Sequence, residues 1–153
     1  RRYLGGRDMP FIEVSTTVTG DISRIWEIVS DMEGYPKFMP NLRSVTIEER
    51  GENSTISHWV SNVDGRLIKW RERDEFFPAE YRIAYHQISG DLKKFEGQWL
   101  LHEVADGVKI VLTVDFEFGI PMVATLLNPL LKKKIRENSE GMLAAIKEIC
   151  ERH

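Results

Sequence analysis

Cysteine is almost absent from this 153-residue chain, with Cys150 the single thiol. No intramolecular disulfide can form, which excludes a disulfide-built secreted scaffold. No apolar run approaches the roughly 18 residues of a membrane span, so no stable membrane insertion is expected. Metal-ligand spacing is missing too. His58, His86, His102 and His153 are dispersed, and neither His-x-x-x-His nor paired cysteines occur, so no metal is expected. Gly51, Gly65 and Gly107 are isolated turn residues, with no Gly-x-Gly-x-x-Gly or Walker-type run to cradle a phosphate. No cofactor is called for. A formal net charge of −3 offers nothing to nucleic acid in general. What is abundant is aromatic and thioether side chain: four Trp, four Tyr, seven Phe and five Met. They either fill a core or line a space. With 42% hydrophobic and 29% charged residues the chain is not disordered, and its length suits one domain with its own core. A soluble cytoplasmic protein, monomer or homodimer, is the default expectation.

The periodicity changes twice. Met9 to Val18 reads as a strand. Asp21 is placed to cap a short helix whose apolar face is Ile22, Ile25, Trp26 and Val29, and which ends over Asp31 to Gly34. Pro36 opens a second short helix through Met39. Period two then takes over, predicting strands over Leu42–Arg50, Ser54–Ser61, Arg66–Phe77, Glu80–Gln87, Leu92–Glu103 and Val108–Phe118. Asn62-Val63-Asp64-Gly65 is the strongest turn signal among them. Met122 to about Glu151 returns to helical spacing, with Pro129 a candidate kink. Short connections favour antiparallel neighbours. The expected fold is α+β: a seven-stranded curved antiparallel sheet around a long C-terminal helix, with two short helices after the first strand. Residues 9–153 form one domain in this reading, and residues 1–8 a flexible segment with neither signal-peptide nor transit-peptide character.

Three stretches carry a resemblance: Ile25–Pro40, with Trp26 and Tyr35-Pro36; Asp64–Trp70; and Gly90–Trp99, followed by the strand end Val114–Phe118. They resemble the START-like, helix-grip superfamily and, within it, the polyketide cyclase/dehydrase family. That family includes bacterial aromatase/cyclases and coenzyme-Q-binding proteins. The resemblance implies a hydrophobic ligand held between sheet and long helix. In aromatase/cyclases the ligand is a poly-β-ketone delivered by an acyl carrier protein, and the reaction is aldol cyclisation with dehydration. Tyr35, Met39, Trp70, Phe95 and Trp99 match cavity-lining positions. The family's arginine, four residues beyond the tryptophan of the middle strand, is replaced here by Asp74, with Glu72 between them.

Trp70, Glu72 and Asp74 share one strand face by period two, with the carboxyls about 6.6–7 Å apart along it. Facing a cavity, one of them can act as general acid or base toward an enolisable ketone. Facing an open end, they are solvated and paired with Lys69, Arg71 or Arg73. Arg82 is a third catalytic candidate, as a positive group on a carbonyl or enolate oxygen, and His86 shares its phase. Phe38 joins Tyr35 and Met39 at the expected mouth. Met122, Leu126 and Leu130 would form the helical wall. Lys132-Lys133-Lys134 with Arg136 either meets an acidic carrier protein or anionic head groups, or is simply a solvated helix face. The two functions to separate are a polyketide aromatase/cyclase and a noncatalytic carrier of a quinone or lipid.

Overall fold

The computed structural model describes residues 11–63, 65–117 and 121–152, with the backbone alone described at 121–128. Strand β1 (Phe11–Val18) leads into helix α1 (Ile22–Ser30) and a 3-10 helix over Met32–Lys37. Strands β2 (Leu42–Arg50), β3 (Ser54–Val63), β4 (Arg66–Phe77), β5 (Arg82–Gly90), β6 (Lys94–Val104) and β7 (Gly107–Glu117) follow, with a 3-10 turn at Pro78–Glu80. Helix α2 (Pro121–Glu151) completes the chain. The sheet order is β1-β7-β6-β5-β4-β3-β2, antiparallel at every pairing, so all neighbours but β1–β7 are consecutive. This is the helix-grip arrangement the sequence implied.

The short helices deviate in detail. Asp21 caps α1 by accepting from the Arg24 N–H at 3.3 Å, satisfying one of the donors a helix start leaves free. Ile22, Ile25 and Val29 are buried, each contributing about 1.5–3 kcal/mol of apolar burial. The second short helix begins at Met32 rather than at Pro36, and Pro36 lies inside it. Trp26, expected in the core, is half-buried and meets the Tyr81 ring edge-on at 5.7 Å.

Helix α2 runs through Pro129 without a break. Its later half buries Ser139, Leu143, Ile146 and Cys150. Its end is tied to the β1–α1 turn. Arg24 donates to the Cys150 carbonyl at 3.0 Å, Lys147 to the Thr17 carbonyl at 2.6 Å, and the Thr19 N–H donates to Glu151 at 2.9 Å. The Arg24 cation on a last-turn carbonyl both satisfies it and opposes the helix dipole. No helix among the described residues is long and apolar enough to cross a membrane.

Candidate functional site

The β3–β4 hairpin builds the centre of the concave face. A two-residue connection pairs Val63 with Arg66, which sets Trp59 opposite Trp70, Ser57 opposite Glu72 and Thr55 opposite Asp74. All six point inward, because side chains two apart share a face and the outward set carries Arg71 and Arg73. Those arginines pair with Glu48 at 2.7 Å and Glu75 at 3.4 Å on the other side of the sheet. On the far side of β4, Gln87 lies opposite Glu72 and Tyr85 opposite Asp74.

Aromatic rings cover this face. Trp59 and Trp70 stack at 5.5 Å with planes 12° apart. Phe95 meets Trp70 at 5.4 Å and Tyr85 at 5.9 Å. Tyr35 touches Trp59 at 6.0 Å and Trp99 at 5.9 Å. These are the offset and edge-on separations that ring quadrupoles favour. Gly97 makes room for one of them. A Cβ there would lie 2.0 Å from the Thr113 carbonyl oxygen and 2.9 Å from the Tyr85 hydroxyl, which itself donates to that carbonyl at 2.8 Å.

Two carboxyls sit inside the aromatic layer. Glu72 is 3% exposed and Asp74 is fully buried, so the solvated alternative for this pair is corrected. Asp74 Oδ2 accepts from the Ser57 hydroxyl at 2.6 Å and from Thr55 at 2.9 Å. The Trp59 indole donates to Ser57 Oγ at 2.8 Å, and the Trp70 indole donates to Glu72 Oε1 at 2.8 Å. Asp74 Oδ1 is buried with no fixed donor. Burial pushes the Glu72 carboxyl well above the usual carboxylate range, and its hydrogen bond and charge contact with Asp74 add to the rise. Tyr35 and Tyr85 are likewise raised, first by burial and then by these carboxylates. Both tyrosine hydroxyls are committed to main-chain carbonyls, Val29 for Tyr35 and Thr113 for Tyr85. Gln87 donates to the Leu92 carbonyl. An acidic group kept protonated in an apolar wall can donate a proton or a hydrogen bond to a ligand oxygen.

A family model described as polyketide cyclase / dehydrase and lipid transport matches residues 18–143. The chain belongs to this family. One relative, the actinorhodin polyketide synthase bifunctional cyclase/dehydratase of Streptomyces coelicolor, is 28% identical over 84% of this chain, which spans 40% of that protein's length. The ribosome association toxin RatA of Vibrio cholerae is 24% identical over 75% of this chain and 80% of its own. Among solved structures, the ZhuI aromatase/cyclase of Streptomyces sp. R1128 superposes with a TM-score of 0.87 at 24% identity, covering 95% of both chains. At that identity the likeness speaks for the fold.

Within this family member the anticipated residues separate. Tyr35, Trp70, Glu72, Asp74, Phe95 and Trp99 lie together on the concave face, and Met39 is buried beside them. Phe38 is half-buried and also borders a groove of about 590 Å³ between α1 and the end of α2. Arg82 and His86 are corrected: they take the outer phase of β5, because Ile83 and Tyr85 occupy its inner phase. Arg82 instead pairs with Glu80 at 3.0 Å and covers the Phe77 ring at 4.1 Å. Leu130 is corrected as well, being 55% exposed. Met122 and Leu126 fall where side chains are outside the described residues. Sequence reasoning missed Thr55, Ser57 and Tyr85. The first two were accessible through the hairpin register, and Tyr85 through the apolar phase of β5.

Proposed function

We propose that the chain binds a hydrophobic small molecule bearing a carbonyl oxygen against the concave face of the sheet, beneath α2. The observation that carries this reading is the continuous aromatic layer of Tyr35, Trp59, Trp70, Tyr85, Phe95 and Trp99 around one protonatable carboxyl pair. The rings supply area and stacking for a flat or extended apolar ligand. The carboxyl pair supplies the few polar contacts that orient it. Quinones and polyketones fit this description, and the lipid transport in the family's description is consistent with a carrier.

The test is extraction of the purified protein with organic solvent and mass spectrometry of what is released. A quinone titration following tryptophan fluorescence accompanies it. Three of the four tryptophans lie in the layer, so quenching that saturates in the wild type and weakens in Trp70→Ala supports the reading. No extractable apolar ligand and no saturable quenching would sink it.

A second reading, aldol cyclisation and dehydration of a poly-β-ketone, is favoured by the buried Glu72–Asp74 pair. Loss of water moves a Cα–H proton to a base while an acid protonates the departing hydroxyl, so an acid and a base within one site serve both half-steps. The departure at the arginine position transfers this work to carboxyls. The exposed Lys133 and Arg136 of α2 suit an acidic acyl carrier protein. Incubation with a carrier-bound polyketone and chromatography of the products tests it. Cyclised product that disappears in Glu72→Gln supports catalysis, and unchanged product distribution with and without the protein refutes it.

A further inference from the structure

Each carboxyl of the buried pair has one oxygen already spoken for, and the identity of the donors settles which atoms can hold a proton. An indole N–H can only donate. Trp70 therefore makes Glu72 Oε1 an acceptor, and because the carbonyl oxygen of an acid is its better acceptor, this bond favours a Glu72 proton on Oε2. Trp59 donates to Ser57 Oγ at 2.8 Å, which leaves the Ser57 hydroxyl proton to point at Asp74 Oδ2, 2.6 Å away. Thr55 donates to the same oxygen at 2.9 Å. Two hydroxyl donors on one carboxylate oxygen favour its ionised form. Asp74 Oδ1 has no fixed donor, and the Glu72 carboxyl lies within hydrogen-bonding reach of Asp74. A carboxyl meets a carboxylate favourably only by donating the proton it keeps.

The other groups facing the pair do not alter this assignment. Tyr85 from β5 and Tyr35 from the 3-10 helix give their hydroxyl protons to main-chain carbonyls, and Gln87 gives its amide to Leu92. Lys69, Arg71 and Arg73 occupy or border the outer phase of β4, the charges of Asp31 and Glu96 act on the two tyrosines, and Asp115 pairs with Lys94 at 3.6 Å. The first eight residues of α2, Pro121 to Asn128, contain no ionisable side chain.

We propose that Ser57, oriented by Trp59 and assisted by Thr55, is the positioning residue that fixes Asp74 as the ionised member and Glu72 as the proton-bearing member of a one-proton carboxyl pair. The site is then a directional acid–base unit, with the acid on the Trp70 side and the base on the Ser57 side. The Glu72 Oε2 proton faces Asp74 Oδ1 in the free protein, so a ligand carbonyl that takes this proton leaves Asp74 Oδ1 as the base. The use of this polarity rests on the concave-face reading of the ligand site. Its test does not, because it is made on the free protein.

The experiment is carboxyl-carbon NMR titration of the ligand-free protein labelled at Asp and Glu side chains, with Glu72→Gln and Asp74→Asn giving the assignments. In the wild type at neutral pH, Glu72 resonates as a protonated carboxyl and Asp74 as a carboxylate. Ser57→Ala with Thr55→Val moves the proton toward Asp74, so the Glu72 resonance shifts toward the ionised position. Ser57→Thr with Thr55→Ser, which retains both hydroxyls and tests against a general packing effect, keeps the wild-type pattern. Should the double hydroxyl deletion fail to fold, Thr55→Val alone gives a smaller shift in the same direction. Two carboxylates in the wild type, or a Glu72 resonance unmoved by hydroxyl removal in a folded variant, would overturn the proposal. A wild-type pattern as described alongside absent ligand binding would overturn the ligand reading and leave the proton assignment standing.

Discussion

Replacing Glu72 by Gln exchanges an O–H for an N–H and removes one titration from the centre of the fold. The Gln carbonyl can accept from the Trp70 indole as Glu72 Oε1 does, and its amide can donate toward Asp74. In the wild type, burial first and the contact with Asp74 second hold the Glu72 carboxyl well above its ordinary range. Between an unfolded value of about 4.3 and that raised native value, the folded protein holds a proton the unfolded chain has released. The resulting stability is complete below about pH 4.3 and is lost as pH rises through the native value, at up to about 1.4 kcal/mol per pH unit. Each pH unit within that window is worth about 3–6 °C in Tm for a chain of this size. Urea unfolding followed by tryptophan fluorescence, from about pH 5 to about pH 9, reads this slope in both proteins. The difference between them cancels every titration they share. Glu72→Gln is expected to gain on the wild type as pH rises. Parallel curves, or a wild type that gains on the variant, would refute a proton held at Glu72.

Gly97→Ala forces a methyl to within 2.0 Å of the Thr113 carbonyl oxygen; a loss of about 1–3 kcal/mol or more in urea is expected, and an unchanged midpoint would show that β6 can yield there. Arg82→Ala and His86→Ala remove outward side chains of β5, so ligand retention is expected to match the wild type in both, and a several-fold loss in either would place them on the ligand path after all. Glu151 is held below the usual carboxylate range by the Thr19 N–H and by Lys147, so its contribution is present above the ordinary carboxylate value and is lost as pH falls through the lowered one. Glu151→Gln is expected to flatten the acid limb of the Tm profile, an effect absent if the β1–α2 tie does not matter to unfolding.

The hairpin of β3 and β4 shows how much of the site was already written in the chain. The turn signal at Asn62–Gly65 joins two strands of period two, and a two-residue connection fixes every cross-strand pair above it. Thr55, Ser57 and Trp59 opposite Asp74, Glu72 and Trp70 follow from that one register. What period two alone left open was which end of the face is solvated. That depends on β5, β6 and the helices closing around it, which are long-range contacts. Arg82 illustrates a different error. Ile83 and Tyr85 form the apolar phase of β5, and that pattern outweighs the attraction of a positive charge as a candidate catalyst, since an unpaired buried arginine is costly. The boundaries around Pro36 were illegible for a local reason. Proline suits the first turn of a helix, yet in a 3-10 helix it also sits within, where its missing N–H removes little.

Trp70 does two jobs whose separation decides between a carrier and a catalyst. Its ring belongs to the aromatic layer, stacked on Trp59 and touching Phe95. Its N–H holds Glu72 Oε1. Two buried carboxyls are a burden on stability that an apolar lining of the same volume would relieve, so a site that only shelters an apolar molecule gains nothing from them. A site that must tell a carbonyl oxygen from a hydrocarbon does. Because one side chain both belongs to the aromatic layer and tethers the acid, a ligand that shifted the indole would change the proton affinity of Glu72. Linkage is reciprocal: the same factor by which ligand alters that proton affinity is the factor by which protonation alters ligand affinity. A simple carrier of this design would therefore hold its ligand with a pH dependence that follows Glu72. A catalyst would in addition show the dependence in its turnover, where the proton is not merely held but delivered.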